Sequence, residues 1–366
     1  MQVHVNKTKF LNAVSLAERL TGKKESLPVL SCLILEATSK TLVLRATNLE
    51  AGIEIVVPAR VEKSGIRAVP ASVLRETVRA VSGENITLIG ADGNLSIESR
   101  GSKNLIKCVS HEEFPGLSKV GKKGGFHILR ERFLSALAAV IYAASPSMIR
   151  PELGSVYIAI EDETLLAVAT DSFRLAEKKV KGASKNDGGE LLIPLRHAQE
   201  LVYVLERMED ETVSVSTEDT QLAIIGADTQ FVSRVVDGQF PSYKEIIPKS
   251  FTAEVTLLKS DFAETLRKAR VFSGSEQHVG FHVYPKRKIF SATARSAEVG
   301  EMSDTIDAAL SGDDIDISFH IGYLADCLQT IQSDSITLAF AGPGKPLVIR
   351  GASDASFMYL VMPLNR

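Results

Sequence analysis

Leu44-Arg45-Ala46-Thr47-Asn48, Ala167-Val168-Ala169-Thr170-Asp171 and Phe290-Ser291-Ala292-Thr293-Ala294 each close an apolar run on an Ala-Thr pair. From Thr47 to Thr170 and from Thr170 to Thr293 the interval is 123 residues both times. Solenoid units run to roughly 20–50 residues, so this period is too long for one. It is the size of a whole domain. The 366-residue chain therefore reads as one domain made three times.

Other landmarks keep the same beat. A helix-like segment early in each unit carries Phe10, Phe133 or Phe262. A late strand opens with Ile86-Thr87-Leu88, Val213-Ser214-Val215 or Ile336-Thr337-Leu338, and a second follows at Leu95-Ser96-Ile97, Leu222-Ala223-Ile224 or Leu347-Val348-Ile349. Two units close on Phe114-Pro115 and Phe240-Pro241, whereas the third runs to the C-terminus. Gly121-Lys122-Lys123-Gly124-Gly125 reads as one linker and Pro248-Lys249-Ser250 as the second boundary, giving units 1–120, 126–247 and 248–366.

Apolar content of 45% and charged content of 24% suit a soluble globular chain. No stretch approaches the ~20 apolar residues of a membrane span. Met1-Gln2-Val3-His4-Val5 lacks the apolar run of a secretory signal, so the expected location is the cytoplasm. Cys32, Cys108 and Cys327 are too scattered for disulfides or metal ligation, and each reads as a buried small hydrophobe.

Six segments read as helices: 6–24, 71–82, 128–150, 195–207, 258–270 and 321–332. Phe10, Val14, Ala17 and Leu20 show the helical spacing of the first; Leu74, Val78 and Val81 that of the second. Pro70 and Pro194 fit helix starts, where a missing N–H costs nothing. Alternating runs such as Ile53-Glu54-Ile55-Val56-Val57 supply strands, and Asp92-Gly93-Asn94 and Gly342-Pro343-Gly344 stand where hairpins turn. Strands with helices confined to one face make an α+β class.

The net charge of −3 hides an asymmetry. The six helical segments hold 16 Lys and Arg against 8 Asp and Glu, a balance of +8, which leaves −11 for the remainder. Basic helices in an acidic chain suggest a surface built for a polyanion. The plainer reading, that helices favour Lys and Arg, fails to explain why Glu is not enriched with them.

No catalytic, metal or cofactor constellation emerges. The seven histidines are scattered, with no His-x-x-x-His pair on a helix. Gly344-Lys345 lacks the Gly and Ser/Thr of a phosphate loop, since Ala339 and Pro346 stand there. Glu161-Asp162-Glu163, Glu209-Asp210-Glu211 and Asp313-Asp314 read as solvated turns.

Ala169-Thr170-Asp171-Ser172-Phe173-Arg174-Leu175-Ala176, Val236-Asp237-Gly238-Gln239-Phe240-Pro241-Ser242-Tyr243 and Tyr359-Leu360-Val361-Met362-Pro363-Leu364, with Leu27-Pro28-Val29-Leu30 near the start, resemble the bacterial β sliding clamps. These are the processivity subunits of DNA polymerase III, and the resemblance spans the whole chain. It implies three clamp-fold domains with helices lining the inside and antiparallel sheets outside, two protomers joining head to tail as a ring around duplex DNA. It implies a tether rather than an enzyme, without cofactor. The implied partners are double-stranded DNA without regard to sequence, a second copy of the chain, the polymerase III alpha subunit, the clamp loader and other proteins carrying a clamp-binding motif.

The candidate DNA contacts are then Lys7, Lys9, Arg19, Arg75, Arg79, Arg130, Arg132, Arg196 and Arg267 on helical segments, with Lys24 and Arg150 on loops. For each, a solvated helix residue is the plainer alternative. Carried over by motif, the partner-peptide pocket takes in Leu153, Thr170, Arg174, Leu175, Pro241 and Ile246. The third unit adds Tyr323, Gly344, Pro346, Val361, Met362, Pro363 and Leu364; plain core is the competing reading for Leu175 and Val361. At the ring interface Leu105 and Ile106 would meet Val271 and Phe272 of the other protomer. The chain departs from the family pattern at Ser172-Phe173, where Gly-His is commoner, at His278, where an aromatic or other bulky side chain is expected, and at the terminal Asn365-Arg366. The rival reading is a protein–protein adaptor of the same fold that never closes on DNA. A third, an enzyme with its site between repeats, has no residues to support it.

Overall fold

A computed structural model describes residues 1–22, 27–117, 124–186, 189–218 and 220–364. The first repeat runs β1 (Gln2–Asn6), α1 (Lys7–Glu18), β2 (Cys32–Thr38), β3 (Thr41–Thr47), β4 (Ala51–Lys63) and β5 (Gly65–Pro70). It continues through α2 (Ala71–Ala80), β6 (Asn85–Ala91), β7 (Asn94–Ser99) and β8 (Ser102–Lys107). The central repeat follows the same plan: β9 (Gly124–Leu129), α3 (Arg130–Val140), β10 (Ser155–Glu161), β11 (Thr164–Thr170) and β12 (Arg174–Lys181). A short β13 (Ser184–Asn186) precedes β14 (Leu191–Pro194), α4 (Leu195–Leu205), β15 (Thr212–Glu218), β16 (Gln221–Ile225) and β17 (Thr229–Arg234). The third opens with β18 (Ala253–Leu258), α5 (Lys259–Phe272), β19 (His278–Tyr284), β20 (Ile289–Ser296), β21 (Gly300–Thr305) and β22 (Ala308–Gly312). It ends with β23 (Ile315–His320), α6 (Ile321–Asp326), β24 (Ser335–Phe340), β25 (Leu347–Gly351) and β26 (Asp354–Val361).

All six expected helices form, but four are shorter than their apolar pattern. The first stops at Glu18, the third at Val140 rather than 150, and the last at Asp326, where tight turns follow over Ile141–Ala143 and Cys327–Gln329. Within the observed bounds the helices carry 11 basic and 7 acidic residues, so the charge asymmetry is milder than the longer segments imply. Asn6 caps α1, its side chain accepting the Lys9 N–H at 3.1 Å. Phe10, Phe133 and Phe262 are fully buried at matching places in α1, α3 and α5. At the β6–β7 hairpin, Asp92 (φ 48°) and Gly93 (φ 74°) both take the positive φ that a tight two-residue turn needs.

One device recurs in all three repeats. The first residue of the first helix reaches across to where the second helical segment closes: Lys7 Nζ donates to the Val81 carbonyl at 2.5 Å, Arg130 Nη1 to Leu205 at 2.8 Å, and Lys259 Nζ to Ile331, just past the turn that follows α6, at 2.6 Å. Their backbone N–H groups bond Glu84, Glu211 and Asp334 at 2.7, 2.9 and 2.8 Å. A cation there satisfies orphan carbonyls and opposes the negative end of the helix dipole.

By contacts the chain divides into two compact units, and the central repeat contributes to both. The first unit comprises Met1–Leu134, Ala183–Gly189 and Arg196–Val235. In it β17 pairs antiparallel with β4, Phe231 opposite Ile53, so the first and central repeats share a 13-stranded sheet. The second unit comprises Ser135–Gly182, Glu190–Leu195 and Val236–Arg366. There β12 pairs with β26, Leu175 opposite Leu360, in a nine-stranded sheet, and the third repeat adds a four-stranded sheet, β21-β20-β19-β23. Among the described residues, no helix is long and apolar enough to cross a membrane.

Candidate functional site

The Ala-Thr signature is a turn. Thr170 Oγ1 donates to the Arg174 carbonyl at 2.6 Å and accepts the Ser172 N–H at 3.2 Å. Asp171 Oδ1 accepts the N–H groups of Phe173 and Arg174 at 2.9 and 3.0 Å, while Ser172 sits at φ 77°. In the first repeat Thr47 Oγ1 bonds Ala51, Asn48 Oδ1 accepts from Glu50 and Ala51, and Leu49 sits at φ 80°. The third repeat has Ala294 where the Asx residue would stand, and its strand runs on through Ser296 instead. Asx side chains accepting local N–H groups are what makes such a turn.

From that turn Arg174 reaches into the third repeat. Its Nε donates to Asp171 Oδ2 at 2.9 Å, its Nη1 bonds Asp326, and its guanidinium lies over the rings of Tyr323 (4.5 Å) and Tyr142 (6.0 Å). Burial alone would lower the Arg174 pKa; Tyr359 and the carboxylates of Asp326 and Asp171 outweigh it and hold it above its ordinary value. The C-terminal tail is fastened beside it. Met362 N–H donates to the Phe173 carbonyl at 2.8 Å and Leu364 N–H to Ser318 at 2.9 Å, with Pro363 between them offering no donor. A cavity of about 350 Å³ opens along the tail, where Gly344, Pro363 and Leu364 meet Gly280, His282 and Asp316.

Of the expected pocket residues, Ile246 and Leu364 are exposed, Arg174, Pro241, Tyr323, Pro346 and Met362 half-buried, and Gly344 exposed at φ 69°. Leu153, Thr170 and Pro363 are buried. Leu175 and Val361 are wholly buried and lie on opposite faces of the β12–β26 pairing: Leu175 shares a face with Leu360 opposite it, and Val361 shares one with Arg174. Phe173, whose carbonyl holds the tail at Met362, is a further exposed apolar side chain beside this surface. Its signal in the sequence is an apolar residue within a turn.

The basic candidates separate by environment. Lys7 and Arg130 are drawn away from solvent by the caps described above, so their charge is committed within the fold. Arg19 is paired with Glu200 at 2.5 Å and stacks on Tyr203, Arg75 pairs with Glu18 and Glu76 at 2.5 and 2.7 Å, and Arg150 pairs with Glu152 at 3.1 Å. Lys9, Arg79, Arg132, Arg196 and Arg267 are exposed on α1, α2, α3, α4 and α5. Arg270, which the sequence reading passed over, lines a 260 Å³ hollow with Arg267 between α5 and α6. Lys24, linker residues 121–123 and Asn365-Arg366 lie outside the described residues.

Among the expected interface residues, Leu105 and Val271 are exposed and Phe272 is half-buried. Ile106 is buried within its own chain, so β8 offers there only its backbone edge, and β8 is a terminal strand of its sheet. Of the acidic runs, Glu161-Asp162-Glu163 is a turn, with Asp162 and Glu163 at φ 46° and 60° between β10 and β11, whereas Asp210 Oδ1 accepts the Ala227 N–H at 2.6 Å. All three cysteines are free, with Cys32 and Cys327 buried and Cys108 half-buried.

Family models for the DNA polymerase III beta subunit match in series: the N-terminal domain at residues 1–118, the central domain at 127–242 and the C-terminal domain at 244–365. The chain belongs to the β sliding clamp family. A sliding-clamp role in DNA replication follows from that membership. The beta sliding clamp of Streptococcus pneumoniae R6 is 26% identical over 372 residues, spanning 99% of this chain and 98% of its own. That of Synechococcus elongatus is 25% identical over 360 residues, 96% of each chain. The clamp fold extends over the full length: the Thermotoga maritima beta subunit shares it with a TM-score of 0.94 at 24% identity, covering 100% of this chain and 99% of its own.

Proposed function

We propose that the protein encircles duplex DNA as a head-to-tail homodimer of three-domain protomers (1–120, 126–247 and 248–366) and tethers the replicative polymerase to it. The observation that carries this reading is the match of three clamp domains, in order, along the whole chain. Exposed Lys9, Arg79, Arg132, Arg196 and Arg267 give helices in every repeat a cationic residue toward the duplex. Phosphates attract such residues uniformly, whereas sequence is read at base edges, so contact of this kind leaves the protein able to slide. Strong pairing to many phosphates would hinder that motion, so closure rather than tight contact does the holding. Edge strand β8 around Leu105 meets the Val271-Phe272 region of the second protomer.

The turn at Thr170–Arg174, the fastened tail and exposed Phe173, Ile246 and Leu364 form the docking surface for a short peptide of the polymerase III alpha subunit, the clamp loader and other motif-bearing proteins. Few polar groups among apolar side chains suit such a ligand. Chemistry is left to those partners, and the site of action is the cytoplasm. Primer extension by the cognate polymerase III on a singly primed circle, with clamp loader present, tests this: product length should rise on adding the protein. Unchanged product length would refute the tethering role.

A further inference from the structure

We propose that a cavity in the first repeat binds a tyrosine side chain presented by a segment of a partner protein. The argument comes from comparing the chain with itself. A shift of 123 residues carries β2 onto β10 and β3 onto β11, so Ile34 corresponds to Tyr157, Arg45 to Val168 and Glu54 to Glu177. Phe114-Pro115 and Phe240-Pro241 align the closing segments, which sets Leu117 against Tyr243.

In the second repeat this place is filled with aromatic rings. Tyr157 stacks on Phe240 with centroids 4.9 Å apart, Phe240 meets Tyr243 edge-on at 6.0 Å, and the Tyr243 hydroxyl donates to Glu177 Oε2 at 2.7 Å. In the first repeat Phe114 keeps its place, packed on Ile34 and Ala68. Both tyrosine rings are missing, replaced by Ile34 and Leu117. What remains is a cavity of about 380 Å³ lined by Ile34, Arg45, Glu54, Ile66, Phe114 and Leu117.

Its chemistry matches the ring that is absent. Phe114 offers an aromatic face for stacking. Glu54 accepts from Arg45 Nε at 2.5 Å, and Arg45 also bonds Glu36 at 2.6 Å, so two carboxylates share one guanidinium. A carboxylate offers about four acceptor positions, which leaves Glu54 able to take a phenolic O–H. An engineered apolar cavity of ~150 Å³ already admits benzene, so the space suffices. A peptide tyrosine is the favoured occupant because the chain inserts one itself, in Pro241-Ser242-Tyr243, at the corresponding place. The cavity opens past His111 and Gly116, both exposed.

The test is a methyl NMR titration of the full chain with the blocked tripeptide Gly-Tyr-Gly. Saturable shifts at Ile34 and Ile66 are expected, with Gly-Phe-Gly binding about tenfold more weakly for want of the charge-assisted hydrogen bond. Leu117→Tyr should abolish them by filling the cavity from within, and Ile34→Tyr, which refills it from the floor, provides a second variant. Absence of shifts in the wild type, equal affinity for both tripeptides, or shifts persisting in the filled variants would overturn the proposal. Binding of p-cresol but not of the tripeptide would overturn it in favour of a small-molecule site.

Discussion

The Arg174 guanidinium lies 4.5 Å from the centre of the Tyr323 ring, joining the turn before β12 to helix α6. The same guanidinium holds Asp171 and Asp326, so one side chain fixes the turn, the helix and the ground between them. Arg174→Ala leaves the half-buried Asp171 carboxylate without its cation. The expected cost is about 2 kcal/mol, below the value for a fully buried pair because Asp326 is partly exposed. Tyr323→Leu removes only the ring and should cost about 0.5–1 kcal/mol. Chemical denaturation of both variants checks the order; equal losses would contradict it.

The two Asx turns share their backbone bonds, and Asp171 adds an ion pair to Arg174. Asn48→Ala and Asp171→Ala each strip two backbone N–H groups of their acceptor, for an expected loss of about 1 kcal/mol, and Asp171→Ala should lose about 1 kcal/mol more because it also takes the carboxylate from Arg174. Leu49→Gly and Ser172→Gly relieve a left-handed backbone and should be close to neutral, because glycine also gains entropy when unfolded. Melting temperatures of the four variants decide this.

Basic residues should divide into two groups by experiment. Lys7→Met and Lys259→Met are expected to lower stability by about 0.5–1 kcal/mol through the lost helix caps. Lys9→Ala, Arg79→Ala, Arg196→Ala and Arg267→Ala should leave unfolding unchanged. Each should instead reduce the salt slope of DNA binding by about one for a lost phosphate contact. Unfolding curves and DNA binding across a salt series separate the groups.

His197 links stability to pH. Ser233 donates its hydroxyl to the Arg234 carbonyl at 2.7 Å, so its oxygen accepts from His197 Nδ1 at 2.8 Å, and the ring is buried. Burial lowers the His197 pKa, against smaller opposing effects of the Arg234 carbonyl and Glu50. A histidine whose folded pKa lies below its ordinary value of about 6.5 favours folding above that pH. The contribution is lost as pH falls from about 6.5 toward the lowered value. His197→Gln should flatten the stability–pH curve in that window. An unchanged slope would contradict the assignment.

Periodicity made the triplication legible because Thr47 and Thr170 perform one structural task at a fixed interval. The family resemblance was legible in the residues of the Ala169–Ala176, Val236–Tyr243 and Tyr359–Leu364 motifs themselves. Residue roles were harder to read. Lys7 and Arg130 look like any exposed helical cation until the facing carbonyls of Val81 and Leu205 are seen. Leu175 and Val361 carry no local mark that their strands pair edge to edge across two repeats. The sharing of the central repeat between two units rests on the β17–β4 and β12–β26 pairings, long-range contacts that no local pattern encodes.

The most direct test of encirclement is retention on nicked circular DNA after treatment with clamp loader and ATP, measured before and after linearising the circle. Retention on the circle and loss on linearisation is the predicted result, because a closed ring slides off free ends. Equal retention on circle and line would mean ordinary electrostatic binding and would contradict the account.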